Sequence, residues 1–356
     1  MTTMTANPLA RDLDHVLART GGLWDDLRGA RLFITGGTGF FGCWLLETFL
    51  WANDARNLGA SVVVLTRNGG AFERKVPHLA AHQAVTLQHG DVRTFEFADG
   101  RFSHVIHAAV DARPPRDRRD RLLVFDTIVE GTRRTLEFAR RAQAGRFLLA
   151  STGAVYGRQP ANLTHVPEEY AGGPDPLNAA LAGAEAKRAA EMMCAVYADR
   201  DLAPAIARCF GFVGPYLPLD AHFAAGNFIG DALDGGPIEI HGDGTPQRSY
   251  LYAADLAIWL WTVLLRGQSM RAYNVGSEAA ISIAGLAQAV AGRFAPPPVV
   301  RVAGTPVAGA APERYVPSTA RARAELGLAM TVDFDEALTR TADWYRGRTA
   351  TTHVND

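Results

Sequence analysis

Short apolar runs alternate with longer amphipathic segments up to about residue 210 of this 356-residue chain. Apolar residues recurring every three to four positions predict helices at 9–19, 43–54, 121–143 and 178–193. The continuous apolar runs predict strands at 31–35, 61–68, 85–91, 104–110, 146–152 and 203–210. Strands without polar alternation are covered on both faces, so their alternation with helices indicates an α/β fold with a doubly wound parallel sheet.

The pattern changes at about residue 210, where proline and glycine become more frequent and the apolar runs shorten. Short strands are predicted at 238–240, 273–275 and 299–302, with helices at 283–294 and 334–348. We therefore expect a second, smaller domain that closes over the carboxyl edge of the sheet. The expected bounds are 1–209, joined by about 249–275, for the larger domain, and 210–248 with 276–350 for the smaller one.

Composition narrows the classes of function. The formal net charge is −1, so no global field favours nucleic acid or an anionic membrane. The three cysteines are far apart in sequence and form no CxxC pair, which argues against a metal site and fits a reducing compartment. The N-terminus lacks the features of a secretory signal, and the apolar run 256–265 is too short to span a bilayer. A cytoplasmic protein is expected.

The segment TGGTGFFG (35–42) follows the first predicted strand and opens a helix. Its glycines fall in GxGxxG and GxxGxxG registers through Gly36, Gly37, Gly39 and Gly42. Such glycines allow a tight turn and bring the backbone close to a pyrophosphate at the helix N-terminus. The alternative is a tight loop without a ligand, but the strand before it and the helix after it favour a dinucleotide-binding Rossmann domain.

The end of the second strand indicates which dinucleotide is bound. Thr66 and Arg67 stand where an acidic residue would accept hydrogen bonds from the adenosine ribose of NAD. An arginine suits the 2′-phosphate of NADP, although it also stacks on adenine when NAD is bound. The cofactor is therefore predicted as NAD(P), with NADP favoured. Asp91 and Val92, after the third strand, are expected beside the adenine.

Further motifs occur in a specific order along almost the whole chain: GDV (90–92), HAA (107–109), EGT (130–132), STGAVYG (151–157), AKRAAE (186–191), RCFGFVGP (208–215) and IHGDGTPQRSYLYAADLA (240–257). With the glycine segment, they resemble the extended short-chain dehydrogenase/reductases, in particular the nucleotide-sugar epimerases, dehydratases and decarboxylases. The resemblance implies an NAD(P)-dependent enzyme that acts on a nucleotide-diphosphate sugar, and it implies a homodimer formed by helices near 120–143 and 177–199.

The resemblance also assigns site residues. Thr152 and Lys187 match the catalytic hydroxyl residue and lysine, and Thr152, Asn227, Phe228 and Arg248 match substrate-binding positions. The cofactor-binding positions are Gly36, Gly39, Phe40, Phe41, Gly42, Arg67, Asp91, Val92, Ala108, Ala109, Lys187, Phe210 and Val213. In such enzymes a tyrosine takes the proton of the sugar hydroxyl, and the lysine binds the ribose and lowers the tyrosine pKa.

The chain departs from this pattern at the proton acceptor, because Gly183 occupies the tyrosine position four residues before Lys187. Gly153 and Ala154 replace the acid pair of 4,6-dehydratases, which makes the chain more similar to epimerases. Gly211 replaces a usual asparagine. Tyr170, Tyr216 and His222 are loop residues within possible reach of the site.

Structural roles are the alternatives for the three main site residues. In a structural role, Thr152 would satisfy backbone groups at a strand end, and Lys187 would pair with Glu191 on a solvated helix face. Arg248 would be a surface charge. Three functions are then compatible with the sequence. The chain is an atypical nucleotide-sugar enzyme, a repurposed enzyme whose substrate already carries a ketone or an acidic proton, or a non-catalytic NAD(P)-binding protein.

Overall fold

The computed structural model describes residues 7–110, 115, 117–221 and 223–352, with side chains through 348. The elements up to residue 209 are α1 (Ala10–Arg19), β1 (Arg31–Thr35), α2 (Phe40–Arg56), β2 (Ser61–Thr66), α3 (Gly69–Lys75), α4 (Pro77–Ala80), β3 (Val85–His89), β4 (His104–His107), α5 (Arg118–Arg141), β5 (Arg146–Thr152), α6 (Ala182–Tyr197) and β6 (Ala203–Cys209). The later elements are β7 (Gly211–Val213), α7 (Ala224–Leu233), β8 (Ile238–Ile240), β9 (Gln247–Tyr252), α8 (Ala253–Arg266), β10 (Ala272–Val275), β11 (Ala280–Ser282), α9 (Ile283–Ala291), β12 (Val300–Val302), β13 (Arg314–Tyr315), α10 (Ala320–Leu326) and α11 (Phe334–Thr352).

A seven-stranded parallel sheet in the order β10-β6-β5-β4-β1-β2-β3 is the centre of the molecule. The chain adds β2 and β3 on one side of β1 and then returns to add β4 on the other side. This reversal creates a crevice at the carboxyl ends of β1 and β4, where ligands bind in open α/β sheets. The predicted doubly wound parallel sheet is confirmed.

Neighbouring residues of β1 show why its apolar run is unbroken. Leu32 and Ile34 are buried in the core that contains Trp44 of α2, whereas Phe33 faces the opposite core with Phe138 of α5. Side chains alternate between the two faces of a strand, so a sheet with helices on both faces requires apolar residues at successive positions.

The later strands form two smaller sheets over the carboxyl edge of the large one. β9 lies between β11 on one edge and β7 and β13 on the other, and β8 pairs with β12. The chain then returns through α8, which packs against α1 and α2, and through β10, which pairs with β6 of the large sheet. Because β9 spans Gln247–Tyr252, the domain boundary that we expected between residues 248 and 249 falls inside this strand.

The apolar run 256–265 belongs to α8, and its residues are buried in the core. Across the helices that the structure describes, none has the length and apolar character needed to cross a membrane.

Candidate active site

The glycine turn between β1 and α2 lies at the crevice, and at Gly36 and Gly42 it leaves no space for side chains. Gly36 has a φ of +73°, and a Cβ placed on it would lie 2.5 Å from the carbonyl group of Ala108. A Cβ on Gly42 would lie 2.3 Å from the Cα of Gly37. The turn therefore brings the backbones after β1 and β4 into contact and lets α2 begin directly against it.

A nicotinamide dinucleotide fits the residues around this turn. The N-terminus of the 17-residue helix α2 opens on the crevice, so its free N–H groups suit a pyrophosphate. Gly36 and Gly39 line the crevice and present backbone rather than side chain to it. The bound cofactor would exchange hydride with a substrate carbon, and the residues described below surround the crevice.

One cavity of about 1110 Å³ brings most of the predicted site residues together. The predicted residues that line it are Gly36, Gly39, Phe40, Phe41, Arg67, Asp91, Val92, Ala108, Ala109, Thr152, Lys187, Phe210 and Arg248. Gly42 and Val213 are not among its lining residues. Gly42 packs against the turn, and Val213 is fully buried in the core.

Asn227 and Phe228 line a second cavity of about 940 Å³. Ala224 and Ile283 belong to the walls of both cavities, so the two spaces adjoin. The structure thus places the two predicted substrate residues on α7 beside the main cavity rather than in it.

Basic and amide groups occupy the end of the cavity next to β2. Arg67 lines the wall, and Asn68 caps α3 by accepting a hydrogen bond from the backbone N–H of Ala71 at 3.0 Å. Asp91 forms a salt bridge with Arg93 at 2.9 Å, and hydrogen bonds from Arg93 lower the pKa of Asp91. The Asp91 carboxylate therefore stays ionised and keeps acceptor capacity toward an amino group.

Lys187 of α6 is buried, with 6% of its surface exposed, and its Nζ donates to the carbonyl oxygen of Ala150 at 2.6 Å. Burial lowers its pKa to about 8. Glu191 accepts hydrogen bonds from Ser151 at 2.6 Å and from Arg208 at 2.7 Å instead. The solvated Lys187–Glu191 pair is thus not the arrangement found, and Lys187 lines the cavity floor.

Gly183 lies one helical turn before Lys187 and also lines the cavity. A Cβ on Gly183 would have one neighbour within 4 Å, the Cγ1 of Val124 on α5 at 3.5 Å. Unlike Gly36, Gly183 is therefore not required by crowding. Its absent side chain leaves open space above the lysine.

Phe210 takes the space beside Gly153. A Cβ on Gly153 would lie 2.5 Å from the Phe210 ring, so no carboxylate fits at this position without moving the ring. Ala154 contributes its backbone N–H, which donates to the Oγ1 of Thr152 at 3.2 Å. The Phe210 ring thus excludes an acid side chain at Gly153, and Ala154 presents only a methyl group to the cavity.

Thr152 has a second partner that the sequence did not predict. Its Oγ1 lies 3.2 Å from the hydroxyl of Tyr315 on β13, and that hydroxyl also lies 3.4 Å from the carbonyl oxygen of Cys209. Tyr315 lines the cavity, and its ring packs against Phe210 with centroids 4.7 Å apart. Thr152 therefore both caps the turn after β5, as the structural alternative has it, and shares a hydroxyl pair facing the cavity.

Arg248 of β9 lies directly across the strand pair from Tyr315. Its guanidinium is 5.9 Å from the centroid of the Tyr315 ring and forms a salt bridge with Glu313 at 2.7 Å. The side chain is 27% exposed and faces the cavity rather than open solvent. A guanidinium in this position suits a phosphate. A bound phosphate would compete with the Glu313 carboxylate for the guanidinium.

Two of the three loop residues that we considered from the sequence lie away from the main cavity. The Tyr216 hydroxyl donates to buried Glu47 at 2.5 Å, and Tyr170 packs beside Tyr156. Neither Tyr170 nor Tyr216 lines the main cavity. His222 lies outside the described residues. Tyr315 follows an exposed segment rich in Ala, Gly and Pro, and no sequence motif marked it.

Known proteins match this chain over most of its length. A model of the NAD dependent epimerase/dehydratase family matches residues 32–276. UDP-glucuronic acid decarboxylase 1 of Danio rerio is 28% identical over 316 residues, which is 88% of this chain and 72% of the relative. The dTDP-glucose 4,6-dehydratase of Streptomyces niveus is 26% identical over 339 residues, which is 90% of this chain and 94% of the relative.

A solved structure also resembles the fold. DesIV, a dTDP-glucose 4,6-dehydratase from Streptomyces venezuelae crystallised with NAD and TYD bound, is 25% identical with a TM-score of 0.75. The match covers 90% of this chain and 98% of DesIV. The family model includes the glycine turn, Thr152, Lys187 and Arg248. The chain therefore belongs to the NAD dependent epimerase/dehydratase family, among the extended short-chain dehydrogenase/reductases.

Proposed function

We propose that the protein is an NAD(P)-dependent enzyme that modifies the sugar of a nucleotide-diphosphate sugar. The observation that carries this proposal is the single cavity shared by the glycine turn, the Thr152 and Lys187 pair, and Arg248. A protein that only sensed the cofactor would not need a guanidinium on the far wall, so the non-catalytic alternative is less well supported.

The resemblance to the family gives each residue a role. Lys187 binds the nicotinamide ribose, Thr152 orients the reacting oxygen of the sugar, and Arg248 binds the diphosphate. Asn227 and Phe228 contact the nucleoside in the adjoining cavity. This division places the sugar between Thr152 and Arg248, beside the space that Gly183 leaves open.

The reaction is closer to epimerisation than to 4,6-dehydration. Elimination across two sugar carbons requires an acid and a base after Thr152, and the Phe210 ring occupies the space beside Gly153. A variant that restores a carboxylate there would clash with the ring. We therefore assign a reaction in which no water is eliminated.

NADP is the favoured cofactor because Arg67 and not an acid ends the strand that reads the adenosine ribose. Titration calorimetry should show NADP(H) binding at least as tightly as NAD(H), with the preference reduced in Arg67→Ala. Tighter NAD(H) binding that is the same in both proteins would contradict this assignment. Two relatives were solved with NAD bound. A preference of this chain for NADP(H) would therefore distinguish it from them, and a preference for NAD(H) would match them.

We also propose a homodimer through α5 and α6. Leu122, Phe125, Met192 and Val196 are 51%, 37%, 65% and 72% exposed on these two helices. Apolar side chains at this density on paired helices favour burial against a second copy. Light scattering at micromolar concentration should give a dimer, and a Met192→Glu and Val196→Glu variant should give a monomer.

The function is tested by binding first and turnover second. Ligands that co-purify should be identified by mass spectrometry, and calorimetry should measure nucleotide sugars against the cofactor-loaded protein. If the cofactor binds but no nucleotide-diphosphate sugar does, the proposed function is contradicted and the non-catalytic NAD(P)-binding protein is favoured.

A further inference from the structure

We infer that Tyr315 and Thr152 form a proton-donating hydroxyl pair for a substrate that already carries a carbonyl group on its sugar. The inference rests on the proposed nucleotide-sugar site and identifies its substrate class: in place of epimerisation, it takes the alternative in which the substrate already carries a ketone. It assigns to β13, in the C-terminal part of the chain, the phenol that α6 lacks at Gly183.

The geometry places the Tyr315 hydroxyl at the reacting end of the cavity. It lies 3.2 Å from the Thr152 Oγ1, within hydrogen-bonding distance. Packing against Phe210 and the cross-strand position opposite Arg248 hold the ring in place. A diphosphate on Arg248 therefore brings the attached sugar past the Tyr315 ring toward Thr152.

The surroundings of Tyr315 keep its phenol protonated. Burial raises its pKa to about 12, which outweighs the opposing effects of the hydrogen bond with Thr152, the positive charge of Arg248 and the backbone N–H of Ala154. The Cys209 carbonyl oxygen at 3.4 Å accepts from the neutral phenol and would repel a phenolate. A protonated phenol is a donor, and a donor serves a carbonyl oxygen rather than a hydroxyl that must lose its proton.

The step balances as a reduction. A reduced nicotinamide held at the glycine turn would supply the hydride for the carbonyl carbon. The Thr152 hydroxyl gives its proton to the carbonyl oxygen, which makes an alcohol, and the Tyr315 hydroxyl turns from the Cys209 carbonyl oxygen to the Thr152 Oγ1 and replaces that proton. A proton from solvent then restores the Tyr315 phenol, so the net reaction consumes one hydride and one proton. The substrate is consequently a product of a reaction class that oxidises or dehydrates a nucleotide sugar to a ketosugar.

Removing one oxygen atom tests the pair. Tyr315→Phe keeps the ring against Phe210 and deletes the hydroxyl, and Tyr197→Phe makes the same deletion at the end of α6 as a matched control. With a nucleotide-linked 4-ketohexose and reduced cofactor, Tyr315→Phe should lower kcat by about 10²- to 10⁴-fold. KM should change by less than about tenfold, since a neutral hydrogen bond contributes little to net binding. Tyr197→Phe should match the wild type.

A double variant tests whether the two hydroxyls act as one unit. Thr152→Val combined with Tyr315→Phe should lose hardly more turnover than the more damaging single variant. Losses that multiply would show two independent roles and overturn the pair.

A measurement without cofactor or substrate tests the donor state. The ultraviolet difference spectrum between wild type and Tyr315→Phe should show phenol, and no phenolate, from pH 7 to pH 9. A phenolate signal at neutral pH would make Tyr315 a base and overturn the inference. Faster oxidation of the matching 4-hydroxy sugar than reduction of the ketosugar, or binding of both without hydride transfer, would overturn it as well. Absence of nucleotide-sugar binding is the separate result that overturns the proposed function itself.

Discussion

Two glycines line the same cavity, and their surroundings differ. Gly36 is enclosed: its φ is +73°, and a Cβ would lie 2.5 Å from backbone atoms of Ala108. Gly183 is open, with only Val124 at 3.5 Å from an added Cβ. The first glycine is required by the fold of the cofactor turn. The second is not required by packing.

The largest expected effect is at the enclosed glycine. Gly36→Ala places a side chain in the left-handed region and against the Ala108 backbone, which should cost about 2–5 kcal/mol. Calorimetry should show cofactor affinity reduced by more than about a hundredfold, with lower stability in urea. Gly145→Ala, whose Cβ would have no neighbour within 4 Å, is the control. Unchanged affinity in Gly36→Ala would remove the turn from the cofactor site.

Lys187, one turn from the open glycine, should make stability depend on pH. Its pKa is about 8 in the folded protein against 10.5 ordinarily, so the unfolded chain binds more protons between these pH values. Stability from this group should therefore rise with pH across that window, by on the order of 3 kcal/mol. The free energy of unfolding in urea at pH 8 and pH 10.5 should rise more in wild type than in Lys187→Met. Parallel changes in both proteins would contradict the burial of the charge.

Arg248 tests the far wall of the same cavity. Loss of a charge-assisted hydrogen bond costs roughly 1.5–3 kcal/mol, so Arg248→Ala should weaken nucleotide-sugar binding by about ten- to a hundredfold. Cofactor affinity measured by the same calorimetry should stay the same. Glu313→Gln removes the competing carboxylate and should not weaken binding. Equal losses for sugar nucleotide and cofactor in Arg248→Ala would point to a folding defect.

The smallest effect is expected at the open glycine. Gly183→Ala fills free space on a helix and should stabilise the protein by about 0.4–1 kcal/mol in urea unfolding. Cofactor affinity should remain within about twofold of wild type. Strong destabilisation would mean that Gly183 is enclosed like Gly36, and the contrast between the two sites would fail.

Local sequence was sufficient for the cofactor half of the molecule. The apolar run of β1, the glycines after it and the start of α2 are adjacent in the chain, so their contacts are nearly independent of distant residues. The predicted strand at 203–210 and the observed β6 differ by one residue at the end. Thr152 at the end of β5 and Lys187 on α6 also lie within short sequence motifs, so both positions could be named from the sequence.

The contact between Thr152 and Tyr315 depended on tertiary structure. Tyr315 and Thr152 are 163 residues apart, and β13 is a two-residue strand that no periodic pattern predicts. Its pairing with β9 brings Tyr315 opposite Arg248 and onto Phe210. The sequence by itself determined that a glycine, and not a tyrosine, stands four residues before Lys187. Only the fold decided that another phenol reaches Thr152, because contacts between distant segments follow from how the smaller sheet packs over the large one.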